Sequence, residues 1–491
     1  MKDNAEGQSY ESLDPDDWES LRRLGLRMVD DMITFLKSVR ERSAWQPIPE
    51  EVKEKFNLPL PVEPESAEQI YEEFRRDVQP FLKGNIHPRF WGWVEGTGTP
   101  FGMLAEMLAA GLNPNVNFGE QAPVYVELQV LDWLKQMLGY PAEASGLIVG
   151  GGSEANLVGL AVARNAKANI NVARDGMRTA PQPLTIFGSM EMHNSIQKAV
   201  ELLGLGSGAL RRIPVNADFR VDVEALRKTI AADRARGELP FCVVGNAGTV
   251  NSGAIDDLES LADVAQSEGL WLHIDGAFGA LAALAPKLRP LLKGMERANS
   301  LAFDLHKWMS VPYEAGCILI RDAEQHHRVF SSSGAYLAHV TRGVAAGPVW
   351  FGEYGVQLSR GFKALKIWML LKEHGVEKYG RIIQQNVEQA RHLAALVEAA
   401  PELELLAPVA LNVVCFRFRA EHLCDLRLNE LNQEILMRLH ESGIAVPSYT
   451  TLQGKYALRV AITNHRSRRE DFELLLQEVI SHGAAIVGQN N

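Results

Sequence analysis

The chain has 491 residues, of which 46% are hydrophobic and 23% charged, enough apolar material for two or three cores in a globular protein. Its 50 Lys and Arg against 61 Asp and Glu leave a net charge of -11, which argues against nucleic acid or an anionic membrane as the main partner. Cys242, Cys317, Cys415 and Cys424 lie far apart with no CxxC or Cys/His metal spacing, so the expectation is reduced thiols, no metal site and a cytoplasmic protein. The first residues are polar and acidic, and no window reaches ~18 uncharged apolar residues, so neither export nor membrane spanning is expected.

Residues 1–16 read as a short mobile tail. From Asp17 to Val39, Leu21, Leu24, Met28, Met32 and Leu36 recur at helical spacing, the mark of an amphipathic helix. A Pro-rich arm over 47–64 and a second helix around Ala67–Val78 follow. Such an arm either wraps a partner subunit or folds back on its own domain. We therefore expect a helical N-terminal segment over 1–85, with a dimerisation role as one reading.

From Ile86 the texture changes to HPRFWGWVEGTGTP and then GLNPNVNFGEQAP, two loops dense in aromatic and amide side chains that suit a pocket wall. Between Leu147 and about Ile320, short apolar runs alternate with helices. LTIFGS, LRRIPV, FCVVGN, LWLHID, SLAFDL and GCILI are candidate strands; Glu154–Ala168, His193–Leu203 and Leu258–Glu268 are candidate helices. This βαβ pattern with near-continuous apolar strands indicates an α/β fold, a mainly parallel sheet covered on both faces. Ligands bind such sheets beyond the carboxyl ends of the strands. After Gly361 a long helical stretch leads to a small α+β region containing NVVCFRFRA, a helix near Leu428–Glu441 and YALRVAI. The expected boundaries are a large domain over 86–375 and a small one over 376–491.

The strand ends carry the chemistry. LIVGGGSEAN passes from a strand through three glycines into a helix whose first turn holds Ser153 and Glu154, a place where backbone amides, the helix dipole and a hydroxyl could hold a small phosphate. It matches neither the Walker nor the GxGxxG spacing, which disfavours a nucleotide. His193 opens a helix after LTIFGS and could lie flat over an aromatic ring, or simply cap its helix. Asp275 ends LWLHID, and a buried carboxylate there needs a cation, such as a protonated pyridine nitrogen, unless it caps a helix or pairs with a basic residue. Thr249 lies in a Gly-rich loop after FCVVGN. Lys307 comes ~32 residues beyond Asp275, room for one crossover and a neighbouring strand. Among apolar neighbours a lysine gives up its proton more readily and can form a Schiff base; a solvated lysine is the alternative.

Together these motifs resemble the group II pyridoxal-phosphate-dependent amino-acid decarboxylases, the family of the aromatic-amino-acid, histidine and glutamate enzymes. The resemblance runs from about Trp18 to Phe472 through HPRFWGW, GGGSEANLVGLAVAR, MHNSIQKA, HIDGAFGA, FDLHKWM, LSRGFKALKIWM and YALRVAITNHRS. It implies the type I pyridoxal-phosphate fold, a seven-stranded large-domain sheet with a small C-terminal domain. Pyridoxal 5'-phosphate would be joined to Lys307, with His306 beside it and Gly152 and Ser153 on the phosphate. Asp275 would pair with the ring nitrogen, Ala277 would pack on one ring face and His193 on the other, and Thr249 would be a further cofactor contact, although relatives often carry a second threonine where this chain has Val250. Asp304 stands where some relatives have asparagine. A polar loop would place Tyr336 to return a proton to the substrate carbon, where a phenylalanine would point to aldehyde formation. The implied reaction is decarboxylation of an L-amino acid, aromatic favoured, to an amine in a homodimer with shared sites. The alternatives are an aldehyde-forming oxidative decarboxylase, another carbon–carbon lyase, or a non-enzymatic binding protein. Trp93 and Asn117 are the candidate substrate contacts, with Asn115, Asn117 and Glu120 making that loop more polar than in aromatic-specific relatives.

Overall fold

Asp17 accepts hydrogen bonds from the backbone N–H groups of Glu19 and Ser20 and so starts the helix Trp18–Lys37 where the amphipathic pattern begins. Ser66 and Gln69 form a capping box at the head of Ala67–Glu73, and the helical path continues as a wider turn through Val78. A computed structural model describes residues 11–331 and 340–489; residues 1–10 of the expected tail lie outside the described residues. Of the first helix only Leu24 is buried, while Trp18, Leu21, Leu26, Met28 and Ile33 are exposed on the single chain. Phe56, Leu58, Leu60 and Val62 of the arm are exposed as well.

In chain order the strands are β1 (Phe90–Trp91), β2 (Ser145–Val149), β3 (Leu184–Ser189), β4 (Leu210–Ile213), β5 (Leu239–Asn246), β6 (Trp271–Asp275), β7 (Ser300–Asp304) and β8 (Gly316–Ile320). In the C-terminal part they are β9 (Leu403–Leu405), β10 (Val413–Phe418), β11 (Val446–Leu452) and β12 (Lys455–Ala461). β2 to β8 form a seven-stranded sheet in the order β2-β8-β7-β6-β5-β3-β4, in which β8 alone runs against its neighbours. Every residue of β3, β6, β7 and β8 is buried, as a sheet covered on both faces requires. The helix Gly152–Lys167 packs across β5 to β8. β4 stops two residues short of the apolar run LRRIPV because Pro214 has no N–H to give to a ladder.

The remaining strands make a second sheet, β1-β11-β12-β10-β9. Its β1 comes from the aromatic stretch before the large sheet and pairs in parallel with β11, Phe90 opposite Val446. Trp91 is thereby drawn into the second core, stacked on Phe472 at 4.9 Å and donating its indole N–H to Ser467. The helix Lys363–Ala399 reaches from one core to the other, broken at Gly375, whose φ of 69° only glycine adopts at low cost.

Candidate active site

Five strands of the large sheet deliver polar residues to one edge. β6 ends in Asp275, and β7 ends in Asp304, followed by a single helical turn, Leu305–Trp308, that carries His306 and Lys307. β2 leads into Gly150–Gly152, β3 into His193, and β5 into Asn246 and Gly248. Two adjoining clefts result, and His193, Asp275, Ala277 and Lys307 line both. One is bounded by Gly150–Glu154, Asp304, His306 and Glu314. The other opens past Val250, Phe278 and Arg459 to Trp93 and Tyr449.

Asp275 is 5% exposed, and its Oδ1 accepts the Ala277 N–H at 3.1 Å and its Oδ2 the Asn156 Nδ2–H at 3.0 Å. Among the described residues no ion pair includes it, so a buried carboxyl group faces the cleft with amide donors only. His193 caps its helix by accepting the Ser195 N–H at Nδ1, and burial pulls its pKa down, with Lys307 acting the same way against Asp275 and Asp304. Lys307 does not sit in the apolar surround its sequence neighbours suggest. Leu305 and Trp308 point into the core, whereas Lys307 Nζ reaches Asp304 Oδ2 at 2.8 Å. His306 accepts the Ala315 N–H at Nδ1, lies 4.5 Å from the Tyr313 ring, and has its pKa lowered mainly by burial.

On the glycine side no side chain caps the helix Gly152–Lys167, leaving its first N–H groups open to a ligand. A methyl group at Gly151 would meet the His306 ring at 3.3 Å, and one at Gly152 would meet the Asp304 carboxylate at 3.0 Å. Asp304 Oδ1 is buried without a partner. Ser153 lies exposed on that cleft wall. A flat cationic ring with an anionic tail fits this arrangement: Asp275 would hold a protonated ring nitrogen, His193 and Ala277 its faces, Lys307 its aldehyde, and the glycine turn its phosphate.

Two other expected residues, Thr249 and Asn117, are placed elsewhere. Thr249 is buried in its own turn, its Oγ bonded to Ser252 and to the Ala254 N–H, and Gly248 and Val250 form the cleft wall instead. Asn117 is 1% exposed and lines neither cleft; its Oδ1 accepts the Gly352 N–H at 2.6 Å. Tyr336 lies outside the described residues. Trp93 is at the cleft mouth, half exposed, with the left-handed φ of 53° unusual for a bulky residue, and is held by Ser448 Oγ at its N–H and by Arg459 at its carbonyl. Asn156, Ser195, Tyr449 and Arg459 were not singled out from sequence. Asn156 could have been, since it lies four residues past Gly152 on the same helix face.

Residues 49–419 match the model of the pyridoxal-dependent decarboxylase conserved domain. The chain belongs to that family. It is 33% identical to an aromatic-L-amino-acid decarboxylase of Bacillus atrophaeus over 94% of this chain and 95% of the relative. It is 29% identical to a phenylacetaldehyde synthase of Petunia hybrida over 92% of this chain and 91% of the relative. The solved structure of Oryza sativa TDC with PLP and tryptamine superposes with a TM-score of 0.89 at 26% identity, covering 97% of this chain and all of that one. The protein is thus a pyridoxal-phosphate-dependent carboxy-lyase of the type I fold. Among the described residues no helix is long and apolar enough to cross a membrane.

Proposed function

We propose that this cleft converts an aromatic L-amino acid to its amine and carbon dioxide. The observation that carries the reading is Asp275, a buried carboxylate without a cation of its own, facing the same cleft as Lys307 and His193 below an aromatic mouth of Trp93 and Tyr449. The names of the Bacillus relative and of the rice structure support an aromatic substrate.

When bound, pyridoxal phosphate supplies an electron sink for the pair left behind as the carboxylate departs. The chain's own residues do the rest. Asp275 would face the ring nitrogen as an acceptor, and Lys307 would be the amine that attaches the cofactor. Gly152, Ser153 and His306 would hold the phosphate end. Trp93 and Val250 bound the substrate side chain, while Asn117 acts at a distance through the turn at Gly352. Thr249 shapes the loop that presents Val250. His193 or Tyr336 delivers a proton to the substrate carbon.

The exposed apolar face of Trp18–Lys37 and of the arm supports a homodimer in which the segment 1–85 covers a second copy, with 86–375 and 376–491 as the two folded units. Reduced, well-separated cysteines support a cytoplasmic protein.

The phenylacetaldehyde synthase relative favours a second reading, aldehyde formation with oxygen. Tyr336 weighs for the amine. Incubating the protein with pyridoxal phosphate and each of the twenty amino acids, and scoring carbon dioxide, amine, aldehyde and peroxide, decides between them. Amine equal to carbon dioxide from aromatic substrates is expected; aldehyde with peroxide and no amine would sink the first reading.

A further inference from the structure

Behind the cleft floor runs a chain of buried polar groups. Trp271 Nε1–H donates to Ser300 Oγ at 2.8 Å, Ser300 Oγ lies 2.7 Å from His273 Nδ1, and His273 Nε2 lies 2.9 Å from Asn156 Oδ1. Asn156 Nδ2 donates to Asp275 Oδ2 at 3.0 Å and to Ser195 Oγ at 2.9 Å. Ser195 Oγ lies 2.8 Å from His193 Nδ1, which also accepts the Ser195 backbone N–H at 3.1 Å. Asn156, Ser195, His273, Asp275 and Ser300 are all buried, so water cannot substitute for a missing partner.

The Asp275 carboxylate sets the direction of every bond. An ionised carboxylate only accepts, so Asn156 must turn its NH2 group toward Asp275 and its carbonyl oxygen toward His273. That oxygen also only accepts, which puts the His273 proton on Nε2 and leaves Nδ1 to accept from Ser300. Burial lowers the His273 pKa to about 4, in keeping with a neutral ring. On the other branch, the second Asn156 N–H occupies a lone pair of Ser195 Oγ, and the Ser195 hydroxyl proton is free to point at His193 Nδ1. That nitrogen then receives two donors and has no room for a proton of its own.

We propose that Asn156 is a positioning residue which reads the Asp275 charge and, through Ser195, fixes the ring proton of His193 on Nε2, so that His193 offers the cleft a hydrogen-bond donor. The groups charged or titratable around His193 are Asp275, Asp304 and Lys307, and burial outweighs them all. The consequence for catalysis rests on the decarboxylase reading: an Nε2–H suits a departing carboxylate or a carbon awaiting a proton, whereas a bare lone pair suits neither. The alternative proton position would need both donors at Nδ1 to turn away. One is the backbone N–H of a helix's first turn, which has no other partner to turn to.

The test uses cofactor-free protein carrying ¹⁵N-histidine, with the His193 ring signals identified by their loss in His193→Gln. The expected result near neutral pH is a single neutral form, protonated on Nε2 and hydrogen-bonded at Nδ1. Ser195→Ala and Asn156→Ala should each weaken the hydrogen bonding at Nδ1, moving the Nδ1 signal and raising the His193 midpoint by about 0.5 to 1 pH unit, the worth of one lost hydrogen bond, while the backbone N–H keeps the Nε2-protonated form in the majority. Ser195→Thr, which keeps the hydroxyl, should restore the wild-type pattern. Ser195→Ala removes one oxygen atom and carries the test by itself if Asn156→Ala does not fold. A proton on Nδ1 in the wild type, an imidazolium at pH 7, or an unchanged spectrum in Ser195→Ala would overturn the proposal. The readout needs neither cofactor nor turnover, so its failure leaves the decarboxylase reading standing.

Discussion

The floor and the mouth of the cleft are built by different rules. The floor is a set of strand ends, Asp275, Asp304–Lys307, the Gly150–Gly152 turn and His193, whose positions follow from the register of one sheet. The mouth joins Trp93, just after β1, to Tyr449 on β11, and the Trp93 N–H is tied to Ser448 across 355 residues of sequence. Chemistry that must be held rigidly sits on the ends of buried strands, where Asp275 is fixed by two amide donors; selectivity sits where large aromatic side chains are half in solvent. Changes in the floor should therefore reach the rate itself, and changes in the mouth the choice of substrate.

Removing the floor's nucleophile should have the largest effect. Lys307→Ala is expected to lower carbon dioxide release by at least about 10³-fold while the fold, followed by circular dichroism, is retained. Asp275→Asn, which keeps the shape and removes the charge, should lower kcat by about 10²- to 10³-fold with little change in melting temperature. A kcat within twofold of wild type would break the distinction between floor and mouth.

Acid should weaken the floor from behind. The folded-state pKa of His273 is lowered from 6.5 to about 4 by burial, so the unfolded chain takes up its proton first. The stability this neutral ring supports is complete above pH 6.5 and is lost as the pH falls toward 4, on the order of 3 kcal/mol across the window. Melting curves between pH 7 and 4 should fall less steeply in His273→Gln, whose amide can still donate to Asn156. Equal slopes would contradict the assignment. The mildest change is in the mouth: Trp93→Ala should raise KM for aromatic amino acids by about 10- to 100-fold and leave kcat within a few-fold. An equal loss for aromatic and aliphatic substrates would remove Trp93 from the specificity contacts.

The same contrast governs how much was legible in the sequence. A parallel sheet buried on both faces writes its strands as apolar runs, and two floor residues stood out as polar groups closing such runs, Asp275 after LWLHI and Asp304 after SLAF. GCILI and Leu258–Glu268 form with the expected bounds. Residues whose partners are distant in sequence were harder to read. Asn117 looked like a pocket amide because its loop is polar, yet it serves the Gly352 turn 235 positions away. Trp91 looked like a pocket surface until β1 paired with β11 and buried it. Thr249 satisfies its own tight turn, the local use to which a short hydroxyl side chain is prone. Arg459 was one charge within the apolar run of β12, and only the fold shows that its Nη1 holds the Trp93 carbonyl.

The central claim is that the strand-end cleft holds pyridoxal phosphate through Lys307. Mixing the protein with the cofactor, reducing with borohydride and mapping the labelled peptide tests it directly. The expected result is a phosphopyridoxyl group on Lys307 in the peptide around FDLHKWM, absent from Lys307→Ala. Stoichiometric label on another lysine, or an undiminished adduct in that variant, would contradict it.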